Sequence, residues 1–210
     1  MSNVKLIWST PEGDELIAFQ ARLSNEANQH NTETSGKLIN YLKKHKHWSP
    51  FEMVNMCVEI NTTRSIAQQI IRHRSFSYQE FSQRYAQVTK TPGPLGVRRQ
   101  DQKNRQNSVD DLSPFTVQKF QIKAQQVYDQ AYGLYNEMLE EGVAKECARE
   151  VLPLSTPTKL YMNGTLRSWI HYCDLRCGNG TQLEHKIIAE QCKDLIIQYF
   201  PKVSEAMGWS

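Results

Sequence analysis

The stretch FEMVNMCVEIN, residues 51–61, alternates apolar and polar side chains. Successive side chains of a β-strand point to opposite faces, so this period of two predicts a strand with one buried face. The side chains on that face are Val54, Met56, Val58 and Ile60. A shorter apolar run at residues 4–8 predicts a second strand, and helical patterns surround both. The pattern therefore indicates a single domain of mixed α and β structure.

Two helices are predicted before the central strand. The first begins at residues 10–11, where a threonine hydroxyl precedes a proline, a combination that favours a helix start. Its apolar stripe consists of Leu16, Phe19, Leu23 and Ala27. The second spans residues 34–45, and its predicted inward side chains are Leu38, Tyr41 and Leu42.

After the central strand, Thr62 and Thr63 can cap a further helix. Its apolar residues are Ile66, Ile70 and Ile71. The helix is predicted to end in the tripeptide RHR at residues 72–74, and residues 75–88 are predicted to be mostly extended.

A change of composition marks residues 89–112, where the turn sequence TPGPLG is followed by a polar run with almost no apolar residue. We expect a long mobile loop here, because long loops without secondary structure are uncommon and often functional. Ser113 and Pro114 then open the longest helix. Its apolar seam consists of Phe120, Ala124, Val127, Ala131, Leu134 and Met138. Two more helices are predicted, over residues 165–176 and 182–199.

The composition excludes several classes of protein. The 210 residues are 39% hydrophobic and 22% charged, with a mean hydropathy of −0.61, which is typical of a water-soluble globular domain. No apolar run reaches the roughly 18 to 20 residues that a membrane span needs, and the first residues lack a signal-peptide pattern. Five cysteines without a Cys-x-x-Cys pair argue against a disulfide framework. These features predict a cytoplasmic protein without membrane contact.

The densest polar signal lies between Gln69 and Tyr85. If residues 78–84 are extended, one strand face presents Tyr78, Glu80, Ser82 and Arg84. An acid, a hydroxyl and a guanidinium then converge with Arg72 and Arg74, an array suited to a phosphorylated ligand because guanidinium groups bind phosphate oxygens in pairs. In the alternative, Glu80 and Arg84 lie at i and i+4 on a helix surface and pair in solvent. Spacing alone does not separate the two.

Further arginines strengthen the prediction of an anionic ligand. Arg149 lies next to a helix-terminating Leu-Pro. Arg167 and Arg176 lie on one predicted helix, with His171 between them. A single such arginine usually lies at the surface with its stem packed on the core. Several in apolar surroundings, in a chain with a net charge of only +3, favour anionic ligands over general basicity.

Two other candidates carry less weight. Cys173 and Cys177 lie one helical turn apart near His171, but zinc sites commonly combine two such clusters and the sequence offers no second one. We therefore predict no metal site and expect Cys173 to be a core residue. Ser82 has no neighbouring general base of the kind that a catalytic serine requires.

The tripeptide RHR at residues 72–74, followed after seven residues by Ser82, resembles the RHR-x7-S signature of the flavin-dependent thymidylate synthases, the ThyX family. The family's other elements are matched in the right order at residues 47–52, 148–153 and 166–176. The likeness runs from about residue 35 to about residue 200, and the combination of elements is specific.

The resemblance implies conversion of dUMP to dTMP, with 5,10-methylenetetrahydrofolate as carbon donor, FAD as redox carrier and NADPH as reductant. It also implies a homotetramer whose active sites are assembled from several subunits. The implied fold is α+β, a single domain with a twisted, mostly antiparallel sheet flanked by helices.

The resemblance also implies the site residues, position by position. The flavin contacts are Ser49, Arg72, His73, Arg74, Ser75, Glu80, Thr165, Leu166, Arg167 and His171. The nucleotide contacts are Gln69, Ile70, Ile71, Arg72, Glu80, Phe81, Ser82, Gln83, Arg84, Arg149 and Arg176. Arg176 matches the catalytic residue, whose guanidinium favours ionisation at uracil nitrogen 3. Many relatives carry asparagine where Thr165 and His171 stand, and histidine where Met53 stands.

An alternative of another class is a module that binds single-stranded nucleic acid with the same arginines and aromatic residues. Its best feature is the basic loop that contains Arg98, Arg99, Lys103 and Arg105. That charge is diluted by Asp101, Asp110 and Asp111. A pI near 8.5 fits poorly with the basic footprint of such modules, so we expect no nucleic-acid partner.

Overall fold

The computed structural model describes residues 2–209. Its strands are β1 Asn3–Ser9, β2 Asn55–Thr63, β3 Ser77–Glu80, β4 Arg99–Gln100, β5 Ser108–Val109 and β6 Pro157–Thr165. Its α-helices are α1 Gly13–Ala21, α2 Ser35–Lys44, α3 Arg64–Ile70, α4 Pro114–Glu140, α5 Lys145–Ala148, α6 Leu166–Arg176, α7 Leu183–Tyr199 and α8 Pro201–Met207. Turns of 3-10 helix occupy Glu26–Asn28, Ser49–Met53 and Arg149–Val151.

A four-stranded antiparallel sheet in the order β1-β2-β6-β3 lies at the centre of the fold. β2 and β6 pair from Asn55 opposite Thr165 to Thr63 opposite Pro157. The predicted inward side chains of the central strand are all fully buried: Val54, Met56, Val58 and Ile60. The strand itself begins at Asn55, since the residues before it form a 3-10 turn with proline in its first turn. The α+β class, with an antiparallel sheet and flanking helices in one domain, is confirmed.

Helices cover one face of this sheet and form the main core with it. Leu160 and Met162 of β6 are fully buried, and each side chain of this size contributes roughly 1.5–3 kcal/mol when it leaves water. Trp169 of α6 closes the core, and its indole Nε1 donates to the backbone oxygen of Met56 at 2.9 Å. The other face of the sheet is polar, as the 3.2 Å ion pair between Lys159 and a glutamate of β2 illustrates.

α1 begins at Gly13 rather than at residues 10–11 as predicted. A Cβ at Gly13 would lie 2.4 Å from the ring of Phe200, so only glycine fits at this contact. The next side chain, Asp14, accepts a hydrogen bond from the backbone nitrogen of Lys202 at 2.7 Å and so caps the first turn of α8. Packing against α8, rather than the threonine and proline, therefore positions the start of α1.

The inward faces of the first two helices differ in part from the predicted ones. The apolar residues that α1 buries are Ile17 and Ala18. The predicted stripe is wrong at Leu23 and Ala27, which are exposed and lie beyond the helix end at Ala21. In α2, Leu42 faces inward as predicted, but Tyr41 is exposed. The ring of Tyr41 packs on His45 instead, with centroids 4.2 Å apart.

α4 is the long helix predicted after Ser113, whose Oγ accepts a hydrogen bond from the backbone nitrogen of Thr116 at 3.1 Å. Much of its apolar seam does not pack on the rest of the chain. Three of its residues are largely exposed and are called here the α4 seam: Phe120 (47% exposed), Val127 (60%) and Leu134 (48%). α4 contacts the body through Tyr128 and Tyr135, which are buried.

Residues 89–112 include the hairpin β4–β5 and contacts with the body. Arg98 donates to the carboxylate of Glu184 on α7 at 2.9 Å. The hydroxyl of Tyr128 donates to the backbone oxygen of Lys90 at 3.0 Å. The mobility of this segment stays a prediction.

No helix within residues 2–209 combines the length and apolarity that a membrane crossing requires. In the same residues, no group of three or more histidine, cysteine or acidic side chains is arranged to hold a metal ion. Cys173 is buried in the main core, as predicted.

Candidate active site

The turn at residues 71–76 links α3 to β3 and carries the RHR tripeptide. The phenol of Tyr78 donates hydrogen bonds to the backbone oxygens of Ile70 and His73, both at 2.9 Å. Burial raises the pKa of Tyr78, so this hydroxyl keeps its proton and both bonds. The turn is therefore fixed to β3 at its base.

Phe76 anchors the same turn to the sheet and to α6. Its buried ring packs edge to face on Trp169, with centroids 4.8 Å apart, and lies directly on Gly164 of β6, where a Cβ would approach to 2.4 Å. Ser168 of α6 donates through its Oγ to the backbone oxygen of Ser75 at 3.3 Å. These contacts hold the backbone of the turn, so that its arginines are presented at the surface.

Arg176 ends α6 beside this turn. Its Nε donates to His73 Nε2 at 2.8 Å, and the His73 ring packs edge to face on Tyr172 with centroids 4.9 Å apart. Burial and the charge of Arg176 lower the pKa of His73, so its ring is neutral and accepts this bond. His73 thus orients the guanidinium of Arg176 without cancelling its charge.

Positive charge without internal partners collects at this turn. Among residues 2–209, neither Arg72 nor Arg74 has a hydrogen-bond or ion-pair partner, and Arg176 has no carboxylate partner. Several arginines elsewhere pair with acids, as Arg64 does with Glu80 at 2.7 Å. Two exposed guanidinium groups without a partner flank His73, which is hydrogen-bonded to a third, that of Arg176. This arrangement fits a phosphorylated ligand, because charge-assisted hydrogen bonds to phosphate are strong.

The flavin candidates outside the turn lie where the 3-10 turn Ser49–Met53 meets α6. Trp48 packs on the exposed His171, with ring centroids 5.1 Å apart, and Arg167 pairs with Glu52. Thr165 caps α6 by accepting from the backbone nitrogen of Ser168. Since Ser168 also bonds to the turn, the predicted flavin residues of α6 and of the turn adjoin.

The predicted strand face beyond Glu80 is wrong. β3 ends at Glu80, and the chain beyond it is irregular, with a turn at residues 83–85, so neither the strand face nor the helical i, i+4 pair exists. Glu80 Oε1 instead accepts from Arg64 at 2.7 Å and from Thr158 at 3.0 Å. Arg84 bends away to pair with Glu146 of α5 at 2.9 Å, because the chain turns after β3.

Arg149 lines a separate cavity of about 280 Å³, called here the Arg149 pocket, together with Arg64, Gln68, Gln83 and Glu150. Arg149 lies 3.5 Å from Glu150 and is only loosely paired. Gln83 is buried, and its Nε2 has no hydrogen-bond partner in the described chain. A buried donor without a partner costs about 1–3 kcal/mol. This amide therefore fits a ligand or a neighbouring subunit that supplies an acceptor.

The remaining predicted residues differ in exposure. The side chains of Ile70 and Leu166 are fully buried in the main core, which leaves only their backbone for ligand contacts. Ile71, Phe81 and Ser82 are exposed.

The candidates form two groups within one chain. The first, called here the Arg176 cluster, consists of Gln69, His73, Tyr172, Arg176 and His185. The second is the Arg149 pocket. No hydrogen bond or ion pair of the described residues joins the two groups.

Sequence reasoning missed two members of the cluster, Tyr172 and His185. His185 is fully buried near the start of α7. A histidine within an otherwise apolar helical pattern was the available signal, but the partners that make it notable come from α3 and α6, which no local pattern predicts.

Comparison with known proteins gives a consistent result. Residues 5–202 match the family described as thymidylate synthase complementing protein. The chain is 52% identical over 196 residues to a probable flavin-dependent thymidylate synthase of Paramecium bursaria Chlorella virus 1, covering 93% of this chain and 91% of that protein. It is 49% identical over 200 residues to the flavin-dependent thymidylate synthase of Synechocystis sp., covering 95% and 91%.

A solved structure shares the fold. The UMP/dUMP methylase PolB from Streptomyces cacaoi, bound with 5-Br dUMP, superposes with a TM-score of 0.88 at 27% identity, covering 99% of this chain and 95% of that one. The matched family spans nearly the whole chain and includes both the Arg176 cluster and the Arg149 pocket. The chain belongs to the family of flavin-dependent thymidylate synthases.

Proposed function

We propose that this protein converts dUMP to dTMP, with 5,10-methylenetetrahydrofolate as carbon donor, FAD as redox carrier and NADPH as reductant. The observation that carries the proposal is the Arg176 guanidinium, held by neutral His73 beside two unpaired arginines. The solved Streptomyces relative with a bound halogenated dUMP supports a pyrimidine nucleotide as the substrate.

Arg176 is the proposed catalytic residue. Transfer of a one-carbon unit to uracil requires electron density at carbon 5, which increases when nitrogen 3 loses its proton. A guanidinium beside the ring stabilises that negative charge and stays protonated itself. Removing one preorganised donor of this kind commonly raises the barrier by about 2.7–4 kcal/mol.

The flavin residues around the turn fit an anionic cofactor. Arg72 and Arg74 offer charge-assisted hydrogen bonds to a diphosphate, and Ser49, Thr165, Arg167 and His171 extend the surface along α6. Bound FAD supplies the hydride chemistry, so the protein's own contribution is orientation and electrostatics. Chemistry of this kind requires no nucleophilic serine, which agrees with the lack of a neighbouring general base for Ser82 in the sequence.

The nucleotide residues divided between the two groups support a homotetramer with shared active sites. Gln83 and Arg149 line the Arg149 pocket and Arg84 pairs with Glu146, whereas Gln69 and Arg176 belong to the Arg176 cluster. A second copy can bring them together, and the orphaned Gln83 amide favours such completion. The α4 seam supports assembly as well, because its spacing of seven residues is that of packed helices in a coiled coil.

The proposal is tested by the spectrum and the activity of the purified protein. We expect a yellow protein that NADPH bleaches in the absence of oxygen, and dTMP formation from dUMP only when methylenetetrahydrofolate is present. A colourless protein that does not take up added FAD would defeat it. Polynucleotide affinity that falls steeply with salt, without any response to dUMP, would favour the single-stranded nucleic-acid module instead.

A further inference from the structure

We propose that His185 is a positioning residue of the nucleotide site: its buried ring holds the side-chain amide of Gln69 in one orientation beside Arg176. The inference rests on the proposed function, because it assumes that Gln69 and Arg176 contact dUMP. His185 lies outside the family motifs named above, and its proposed role is exerted through the side chain of Gln69.

The geometry gives His185 a partner on each ring nitrogen. Nε2 lies 3.0 Å from the hydroxyl of Tyr172, and Nδ1 lies 3.3 Å from Gln69 Oε1. The ring is fully buried and lies perpendicular to that of His73, with centroids 6.3 Å apart. His185 of α7 therefore contacts both α3 and α6.

The hydrogen bonds of this network have one consistent direction. Gln69 Nε2 donates to Gln182 Oε1 at 2.7 Å, so Gln69 Oε1 is the acceptor that faces His185. His185 Nδ1 must then carry the hydrogen, and Nε2 accepts from Tyr172. Burial raises the pKa of Tyr172 well above its usual value, so its hydroxyl has the proton to donate.

The same chain of bonds continues to the hairpin segment. Gln182 Nε2 donates to Glu184 at 2.9 Å, and Glu184 accepts from Arg98. Burial, together with the charge of Arg176 and the nearby His73, lowers the pKa of His185 to about 3, so its ring is neutral near pH 7. A neutral ring with fixed donor and acceptor ends allows only one orientation of the Gln69 amide.

The opposite orientation would place Gln69 Nε2–H against the His185 Nδ1–H, two donors facing each other. We infer that this conflict keeps the unbonded hydrogen of Gln69 Nε2 and the second lone pair of Oε1 in fixed positions for the nucleotide. Preorganisation of this kind increases affinity by reducing the ordering required on binding.

A matched pair of variants isolates the bond to Gln69. In His185→Asn, the side-chain nitrogen can occupy the place of Nδ1 and still donate to Gln69. In His185→Gln, the longer amide can occupy the place of Nε2 and keep the contact with Tyr172, but it leaves Gln69 free. We expect the dissociation constant and KM for dUMP to rise at least about tenfold in the glutamine variant and to stay within about threefold in the asparagine variant.

In both variants we expect kcat at saturating dUMP and the amount of bound flavin to change little. Ile188→Val serves as the control, because Ile188 is a fully buried residue of the same helix whose side chain has no polar atom to bond to Gln69. It should lower the melting temperature and leave the KM for dUMP unchanged. Equal dUMP affinities of the asparagine and glutamine variants would overturn the inference.

A double-mutant cycle tests whether His185 acts through Gln69. We expect His185→Gln to add little to the loss caused by Gln69→Leu, because the orientation of an absent amide has no effect. Fully additive losses would overturn the role. If the wild-type protein did not bind dUMP or did not form dTMP, the proposed function itself would be wrong, whatever the result for His185.

Discussion

The Arg176 cluster and the Arg149 pocket both combine arginine and glutamine side chains, but only in the cluster does every member have a hydrogen-bond partner within the described chain. In the cluster, His73 and His185 are buried and hydrogen-bonded, and Arg176 is held by a neutral acceptor at 2.8 Å. In the pocket, Arg149 is loosely paired and the Gln83 amide is buried without a partner. The fold itself therefore holds the side chains of the cluster in place, whereas the pocket keeps a buried donor that a ligand or a second copy can satisfy.

The largest effect is expected from Arg176→Ala, which removes the charge around which the cluster is built. Turnover of dUMP should fall about 100- to 1,000-fold, because one preorganised donor at the site of developing charge is lost. The bound flavin should remain, since Arg176 is not among its proposed contacts. Steady-state kinetics and the visible spectrum measure both; unchanged turnover would remove Arg176 from the mechanism.

The next largest effect is expected if the Arg176 cluster and the Arg149 pocket of two different subunits form one active site. Arg149→Ala and Arg176→Ala should each be nearly inactive alone. Mixed tetramers formed by co-expression should regain activity, with about a quarter of the sites containing both native arginines if mixing is random. Mixtures no more active than either parent would show that each site is built within one chain.

A smaller loss should follow from disturbing the α4 seam, which we expect to hold the copies together. Val127→Glu places a charge on the seam and should convert the tetramer into smaller species with reduced activity. The neighbouring Gln126→Glu adds the same charge off the seam and serves as the control. Light scattering measures the mass, and a tetramer that survives Val127→Glu would contradict this role of the seam.

The buried His185 of the Arg176 cluster should make the stability of the protein depend on pH. His185 has a pKa of about 3 in the folded chain, against an ordinary value of 6.5. Between these values the unfolded state binds the extra proton, so the free energy of unfolding falls as the pH drops from about 6.5 towards 3, by on the order of a few kcal/mol.

His185→Leu abolishes this titration, so its stability should change less over the same range. Arg176, His73 and Tyr172 face the ring and remain in both proteins, as does the internal partner Gln69. Denaturant unfolding at several pH values provides the comparison. Parallel curves for the two proteins would contradict the assignment.

The smallest effect is expected from Ser82→Ala. Ser82 is exposed in the turn after β3, and its hydroxyl has no hydrogen-bond partner within residues 2–209, so its proposed role is to position the nucleotide. Activity should remain measurable, within roughly tenfold of the wild type, because a single neutral hydrogen bond contributes about 0.5–1.5 kcal/mol. Complete loss with normal dUMP binding would restore the nucleophile hypothesis.

Sequence periodicity predicted the central sheet well and the helix faces less well. The alternation at residues 51–61 has one meaning, since a strand in a sheet buries alternate side chains. An apolar stripe on a helix predicts that the stripe packs against another surface, but it does not identify that surface. The α4 seam has the predicted spacing but is exposed, and Tyr41 packs on a neighbouring histidine outside the core.

The candidate site shows the same limit. The RHR tripeptide and Arg176 were predicted as site residues from motifs, and His73 is hydrogen-bonded to Arg176. The helix predicted to end in the tripeptide ends at Ile70 instead. The pairing of Glu80 with Arg64, the turn after Glu80 and the burial of His185 depend on contacts between distant segments. Local patterns contain no information about such contacts, so these features could not be predicted.

The contact between Phe76 and Gly164 has a consequence for any attempt to redesign this enzyme. The aromatic ring occupies the volume where the smallest possible side chain at position 164 would begin. Even alanine there has to displace the ring, and with it the loop that presents Arg72 and Arg74. In a library randomised at this codon and selected for growth without thymidine, we expect the survivors to encode glycine alone.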